Sequence, residues 1–283
     1  IEATAASLQS SLNLSTGPLL RVVLFQLGRQ PSRLLTIVHH LVVDGVSWRI
    51  LLEDLQTAYL QLGQGQEIQL PAKTTSFKQW AESLREYAQS PLVQSELDYW
   101  LSQPHEQISP LPVDLKGENT EASAASVSVA LTPQETQALL QEVPCAYQTQ
   151  INDVLLTALV QAFYQWTGKN TLLVDLEGHG REDIIDLIDL SRTVGWFTTI
   201  FPVVLDLEQT VDLGEALKTI KEQLRSIPNR GINYGILRYL SSDERLQSLP
   251  EAEVKFNYLG QFDRVLSDSS TFRTAQAYTG PMQ

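Results

Sequence analysis

Apolar residues fill most of the run from Leu19 to Leu27, with Gly17-Pro18 before it and Gly28 after it. Leu34 to Val38 is a second apolar run, short and partly β-branched. Both read as strands, because a brief apolar run bounded by turn formers is too short for a helix. Ser47 is placed to cap a helix whose apolar or aromatic positions are Trp48, Leu51, Leu52, Leu55 and Tyr59, ending near Gly63. Ser76 opens a second helix (Phe77, Trp80, Leu84, Tyr87) and Pro91 a third (Leu97, Trp100, Leu101). Ala125 to Leu131 alternates as a half-buried strand does. Thr132 caps a short helix, and Asn152 or Asp153 a longer one through Leu155, Leu156, Leu159, Phe163 and Trp166. Leu172 to Leu176 is a strand that runs straight into Glu177-Gly178-His179-Gly180. Phe201 to Leu207 is another strand, Leu213 to Leu224 a helix and Val254 to Leu259 a last strand. Strands and helices alternate in both halves, so the class is mixed α/β (α+β). Residues 103–122 hold Pro104, Pro110, Pro112 and Gly117 without a sustained period, which marks a crossing between lobes. The tail, Ser267 to Gln283, is small and polar and reads as loop.

Composition narrows the function classes. With 43% hydrophobic and 19% charged residues the chain is globular rather than disordered. A formal net charge of -13, from 33 acidic and 20 basic side chains, repels phosphate backbones and anionic lipid, so neither nucleic acid nor a membrane surface is an expected partner. One cysteine, Cys145, rules out an internal disulfide framework and fits a reducing compartment. Its neighbours Val143, Pro144 and Ala146 supply no base or cation, so a small buried or loop cysteine is expected rather than a nucleophile. No leader pattern opens the sequence and no apolar run approaches membrane-spanning length, and the expectation is a soluble cytoplasmic protein.

Three segments carry candidate chemistry. The first is His39-His40-Leu41-Val42-Val43-Asp44-Gly45. Adjacent histidines leaving a strand face opposite ways, so one of them can address a cavity. Imidazole is the natural general base near neutral pH, Asp44 can hold the loop or orient a ring, and Gly45 tolerates a tight turn. Two structural histidines in an apolar hairpin account for the spacing equally well. A metal site would need a third ligand, with only His105 and His179 left as imidazoles and no H-E-x-x-H pattern, so no metal is expected. The second segment is Glu177-Gly178-His179-Gly180-Arg181-Glu182, where a carboxylate ends a buried strand beside glycines that let a ligand approach the backbone. A solvated turn explains that spacing too. The third is Asn257-Tyr258-Leu259-Gly260-Gln261-Phe262, whose Asn and Tyr offer donors for a developing oxyanion, or else a turn residue and a core ring.

Together these segments resemble the condensation-domain superfamily of nonribosomal peptide synthetases, and within it the epimerisation domains. The histidine loop is common to the superfamily. The likeness to the epimerisation branch rests on HHLVVDGVSWRILLEDL (39–55), Asn152 to Leu155, EGHGRE (177–182), RTVGWFTTIFP (192–202), PNRGINYG (228–235) and FNYLGQFD (256–263), which occur in the branch's order. Asn233 stands where the branch usually has glycine. The aromatic segment upstream of the histidine loop and the stretch after FNYLG are not found, so the chain is expected to be a piece of the domain cut at both ends.

The resemblance implies a two-lobed, V-shaped fold like that of chloramphenicol acetyltransferase, with a tunnel between lobes. Residues 1–112 would be the remainder of the N-terminal lobe with the HHxxxDG loop, and 113–283 the C-terminal lobe with EGHGRE and FNYLGQFD. The implied reaction is inversion of the α-carbon of an aminoacyl or peptidyl thioester on a peptidyl carrier protein, whose 4'-phosphopantetheine arm enters the tunnel. No cofactor would be bound by the domain itself, and adenylation and condensation domains would be its other partners. The expected catalytic residues are His40, Glu177, Tyr258 and Asn257. His39, Asp44 and Gly45 would be structural at the site, and Trp196 and Ser47 would contact substrate or arm. An amide-forming condensation domain and a non-catalytic carrier-binding member are the alternatives.

Overall fold

The computed structural model describes residues 1–115, 117–208, 212–260 and 271–275. Contacts group the chain into two units. The first comprises Ile1–Leu84, His179–Thr198 and, among the described residues, Leu259, Gly260 and 271–275, while the second comprises Arg85–Gly178 and Thr199–Tyr258. This grouping differs from a single division at residue 112: residues 85–112, and with them the expected crossing at 103–122, group with the second unit, while residues 179–198 group with the first.

In the first unit, helix α1 (Glu2–Gln9) precedes strands β1 (Leu20–Phe25) and β2 (Arg33–Val38). The strands pair antiparallel with Leu20 opposite Val38 and Phe25 opposite Arg33. The bond from the His39 N–H to the Leu19 carbonyl extends that ladder to the first histidine at 2.9 Å. Helix α2 (Gly45–Gly63) follows, then α3 (Phe77–Tyr87), which continues into the second unit. Ser76 receives the Gln79 N–H, as expected of a residue opening α3. The cap of α2 is Asp44 rather than Ser47: its carboxylate accepts the Ser47 N–H at 2.6 Å. A carboxylate in this place also complements the positive end of the helix dipole. Phe197 is buried in this unit, with the rings of Phe77 and Trp80 at 5.2 and 6.5 Å.

The second unit continues with α4 (Pro91–Gln94), α5 (Leu97–Leu101), α6 (Pro133–Gln137), α7 (Val143–Tyr147) and α8 (Ile151–Thr167). Strands β3 (Thr171–Gly178) and β4 (Thr199–Asp206), helices α9 (Leu213–Ser226) and α10 (Ile232–Leu240), and strand β5 (Val254–Phe256) complete it. The sheet order is β4-β3-β5, antiparallel between β3 and β4 and parallel between β3 and β5. Helices α8 and α9 lie against each other and against β3 and β4, and α10 lies on β4. Val174, Leu205, Ile220 and Leu237 are fully enclosed there. Trp100 is 1% exposed, with Tyr234 at 5.0 Å and Phe201 at 6.3 Å. Thr132 caps α6 as expected. Helix α8 begins two or three residues earlier than expected: Gln150 is its cap, and the Asp153 carboxylate accepts the Gln150 N–H at 2.7 Å.

Several expectations fail for identifiable reasons. Ala125 to Leu131 forms no strand, and Val127 and Val129 are 93% and 95% exposed. Alternation makes a strand only where a partner supplies hydrogen bonds and a face to bury. Cys145 is neither buried nor in a loop, being exposed on α7. The last strand stops at Phe256 rather than Leu259. Most of the tail from Ser267 lies outside the described residues. No helix among the described residues is long and apolar enough to cross a membrane.

Candidate active site

The histidine loop leaves β2 as a short turn of 3₁₀ geometry, His40–Val42. His39 follows the strand half-buried, and its Nδ1 accepts the Leu41 N–H at 3.1 Å. His40 is exposed, and the ring of Trp196 meets it edgewise with centroids 5.2 Å apart and planes at 68°. Gly45 needs no left-handed backbone, because it is already the first residue of α2. That freedom is used at Gly180, with φ of 66° between His179 and Arg181.

Asp44 is 4% exposed and fully employed. Oδ1 accepts the Ser47 N–H, Oδ2 accepts the Phe197 N–H at 3.1 Å, and Arg181 Nη2 reaches the two oxygens at 3.2 and 3.3 Å. Arg181 is itself buried, with Nη1 donating to the carbonyls of Leu190 and Thr193 at 2.7 Å each. Its guanidinium carbon lies 4.0 Å from the centre of the Phe197 ring. Burial lowers the guanidinium from its ordinary value, and the charge of Asp44 and its hydrogen bonds act against that. A buried pair of this kind tolerates no loss of one partner, since the remaining charge would sit uncompensated in a low dielectric. The assignment of Asp44 to the loop therefore acquires a partner 137 residues away that spacing alone did not indicate.

Ser47 is 0% exposed. Its hydroxyl donates to the Gly195 carbonyl at 2.8 Å and accepts from the Gly195 N–H at 3.1 Å and Arg181 Nη2 at 3.0 Å. One donor and two lone pairs are thus all in use, and the expected arm contact gives way to a buried framework role. Gly195 has no space for a side chain, because a Cβ would come within 2.3 Å of the Phe77 ring. Further along, Thr193 Oγ1 donates to the Thr75 carbonyl at 2.6 Å, and Arg192 forms ion pairs with Glu53 and Asp54 of α2. Residues 189–197 contain no helix or strand, yet they are stitched to α2 and to Thr74-Thr75 throughout.

In the second unit, Glu177 is the penultimate residue of β3, half-buried and opposite Ile200. At Gly178 a Cβ would stand 2.8 Å from Thr199 Oγ1, so β3 and β4 close tightly just beyond the carboxylate. The parallel register sets Phe256 beside Leu176, which brings Asn257 level with Glu177 as the chain leaves β5. Asn257 and Tyr258 are exposed, so Tyr258 is not a core ring. Of the expected site residues, His39, His40, Asp44, Gly45, Ser47 and Trp196 thus gather in one unit and Glu177, Asn257 and Tyr258 in the other. Gln261 to Asp263 of the last motif fall outside the described residues. Asn233, the departure from the branch pattern, is fully buried and donates to Glu96 Oε1 at 2.8 Å.

The condensation-domain model matches residues 1–282. The chain is 51% identical to chondramide synthase cmdD of Chondromyces crocatus over 284 residues, which is 98% of this chain and 7% of that protein. It is 47% identical to tyrocidine synthase 1 of Brevibacillus parabrevis over 269 residues, 93% of this chain and 24% of that protein. The chain therefore spans less than a quarter of the length of either relative. Among solved structures it is similar to the epimerization domain from the third module of tyrocidine synthetase B, with a TM-score of 0.88 and 43% identity over 99% of this chain and 64% of that one. The first condensation domain of the calcium-dependent antibiotic synthetase shares the fold at 18% identity, with a TM-score of 0.65 over 85% of this chain and 55% of that one. The mixed α/β architecture is accordingly the chloramphenicol acetyltransferase-like one of these domains. With the histidine loop and its buried frame in place and a family match along nearly its whole length, the chain belongs to the condensation-domain family.

Proposed function

We propose that the chain inverts the α-carbon, L to D, of an aminoacyl or peptidyl thioester tethered to a peptidyl carrier protein in nonribosomal peptide synthesis. The observation that carries this reading is the similarity to an epimerization domain over 99% of the chain at 43% identity, far above that to the condensation domain. The EGHGRE segment supports it by setting a carboxylate, Glu177, at the end of a buried strand.

Inversion needs one group to take the α-proton and another to return a proton to the opposite face. His40 and Glu177 are these two acid–base groups. As the C–H bond breaks, its electron pair moves into the thioester, whose carbonyl oxygen carries the enolate charge. Asn257 and Tyr258 are the hydrogen-bond donors for that oxygen. When the C–H bond re-forms from the other face, the enolate collapses and no net proton or electron is consumed. Trp196, 39% exposed beside His40, presents indole surface to the arm. The arm is supplied by the carrier, so the reaction asks for no cofactor resident in the domain. Carrier, adenylation and condensation domains of the same synthetase are the partners.

The family match by itself also fits an amide-forming domain, and Glu177 separates the two. A phosphopantetheinylated carrier loaded with an L-aminoacyl group is incubated with the protein in D₂O, and α-deuteration and chirality of the released acid are followed. The expected result is deuterium with mixed stereochemistry, reduced about 10²–10⁴-fold in His40→Ala and in Glu177→Gln. Absence of exchange across several loaded amino acids, or full exchange in Glu177→Gln, would overturn the proposal.

A further inference from the structure

The chain has four histidines, and three of them are held by hydrogen bonds. His39 Nδ1 accepts the Leu41 N–H at 3.1 Å, and His179 Nδ1 accepts the Arg181 N–H at 3.0 Å while its Nε2 lies 3.1 Å from Glu182. His105 Nε2 lies 3.4 Å from the Trp100 carbonyl. His40 differs. Among the described residues neither of its ring nitrogens has a hydrogen-bond partner, and its ring is met instead by that of Trp196. A group that must take up and release protons gains from this arrangement, because an aromatic contact restrains the ring without a hydrogen bond to either nitrogen.

The position of Trp196 is fixed from both sides. Thr193, Gly195 and Phe197 are buried while Val194 and Trp196 are exposed, the alternation of an extended segment. Two of the inward residues are bonded to the end of the histidine loop and the first turn of α2: Gly195 through both backbone groups to Ser47 Oγ, and Phe197 through its N–H to Asp44. Trp196 therefore projects outward from a backbone anchored just before and just after it, on the side where His40 stands.

From this geometry we propose that Trp196 is the positioning residue for His40, transmitting the rigidity of the Asp44–Ser47–Arg181 frame to the imidazole. The inference rests on the acid–base role assigned to His40 above and adds to it. Trp196→Leu removes the aromatic ring at a part-exposed site without opening the core, and thermal unfolding checks that the fold is kept. In the α-deuteration assay Trp196→Leu should raise KM for the loaded carrier through the lost arm contact and, separately, lower kcat by about 10–10²-fold, the size of effect expected from a misplaced catalytic group. Trp196→Phe should restore most of kcat. A rise in KM with kcat unchanged would show an arm contact alone and overturn the proposal.

A second readout needs no turnover. With histidine Cε1 labelled by ¹³C, the signal assigned through His40→Gln should lose its ring-current shift in Trp196→Leu and keep part of it in Trp196→Phe. An unmoved His40 signal would overturn the proposal as well. The two levels separate cleanly: exchange that survives His40→Ala removes the acid–base reading together with this one, whereas exchange lost in His40→Ala but normal in Trp196→Leu removes only this one.

Discussion

Asp44 and Glu96 are both buried carboxylates, 4% and 8% exposed, and the two units hold them by different means. Asp44 has a guanidinium and two backbone N–H groups, which together engage both oxygens. Glu96 has the side-chain amides of Asn229 and Asn233 on Oε1, and Oε2 has no hydrogen-bond partner among the described residues. The first arrangement binds three distant stretches of chain, around residues 44, 181 and 195–197. The second binds a turn in which Asn229, Arg230 and Gly231 all have positive φ, at 44°, 52° and 81°. A full charge opposite a full charge builds a frame. Neutral amides around a carboxylate hold a locally strained turn with less at stake on either side.

The comparison is broken most forcefully by Asp44→Asn. Asparagine can still cap α2, but Arg181 is left buried without its counter-ion, and urea unfolding should show a loss of about 3–5 kcal/mol. Adding Arg181→Gln should recover part of that, so a double-mutant cycle with no coupling would refute the frame as drawn. Next in size is Gly231→Ala, where the new Cβ would fall 2.4 Å from the Phe201 ring at a φ of 81°. A loss of about 2–4 kcal/mol is expected from left-handed strain and overlap together, and a stability equal to the parent's would mean that the turn is not held as described. Glu96→Gln keeps an acceptor for both asparagines and should cost only about 1 kcal/mol. A cost matching that of Asp44→Asn would erase the contrast.

Asp175 sharpens the comparison from a third position, since it is partly buried on β3 two residues before Glu177. Burial raises its carboxyl above the ordinary range, with Lys255 and Arg238 opposing. A carboxyl raised by folding favours the folded state in its protonated form. That contribution is complete below the unfolded value and is lost as pH rises through the folded one. Asp175→Asn should therefore flatten the pH dependence of the melting temperature across the carboxylate range and raise it slightly at neutral pH. An unchanged slope would show that burial does not govern this group.

Much of this architecture was legible because it is local. Trp80 and Trp100 announced helices, and the Leu172–Leu176 run a buried strand, through periods that depend on neighbouring residues alone. The alternation at 125–131 misled because nothing in the segment states whether a partner strand exists. Helix α10 was hidden inside a segment read only as a motif, PNRGINYG, whose left-handed entry depends on Glu96 far upstream. Among the candidate residues, His40 stood out by residue type and Glu177 by the glycine that follows it. Arg181 did not, although an arginine following Gly-His-Gly at a strand end was the available signal. A buried counter-ion is chosen by three-dimensional proximity, and spacing along the chain carries little of that. Ser47 misled for a related reason: a serine near a helix start suggests a cap or a ligand contact, and its saturation by Gly195 and Arg181 is a tertiary fact.

The hydrogen bonds of Gly195 and Phe197 to buried side chains also bear on what a solvent-exchange experiment would see. Loops without secondary structure usually trade their amide protons with water quickly, because nothing but local fluctuation protects them. Here two amides in such a loop are bound to Ser47 and Asp44 inside the frame. Their exchange rates should resemble those of strand interiors, and they would serve as built-in reporters that register loosening of the frame before any change appears in helix or sheet content.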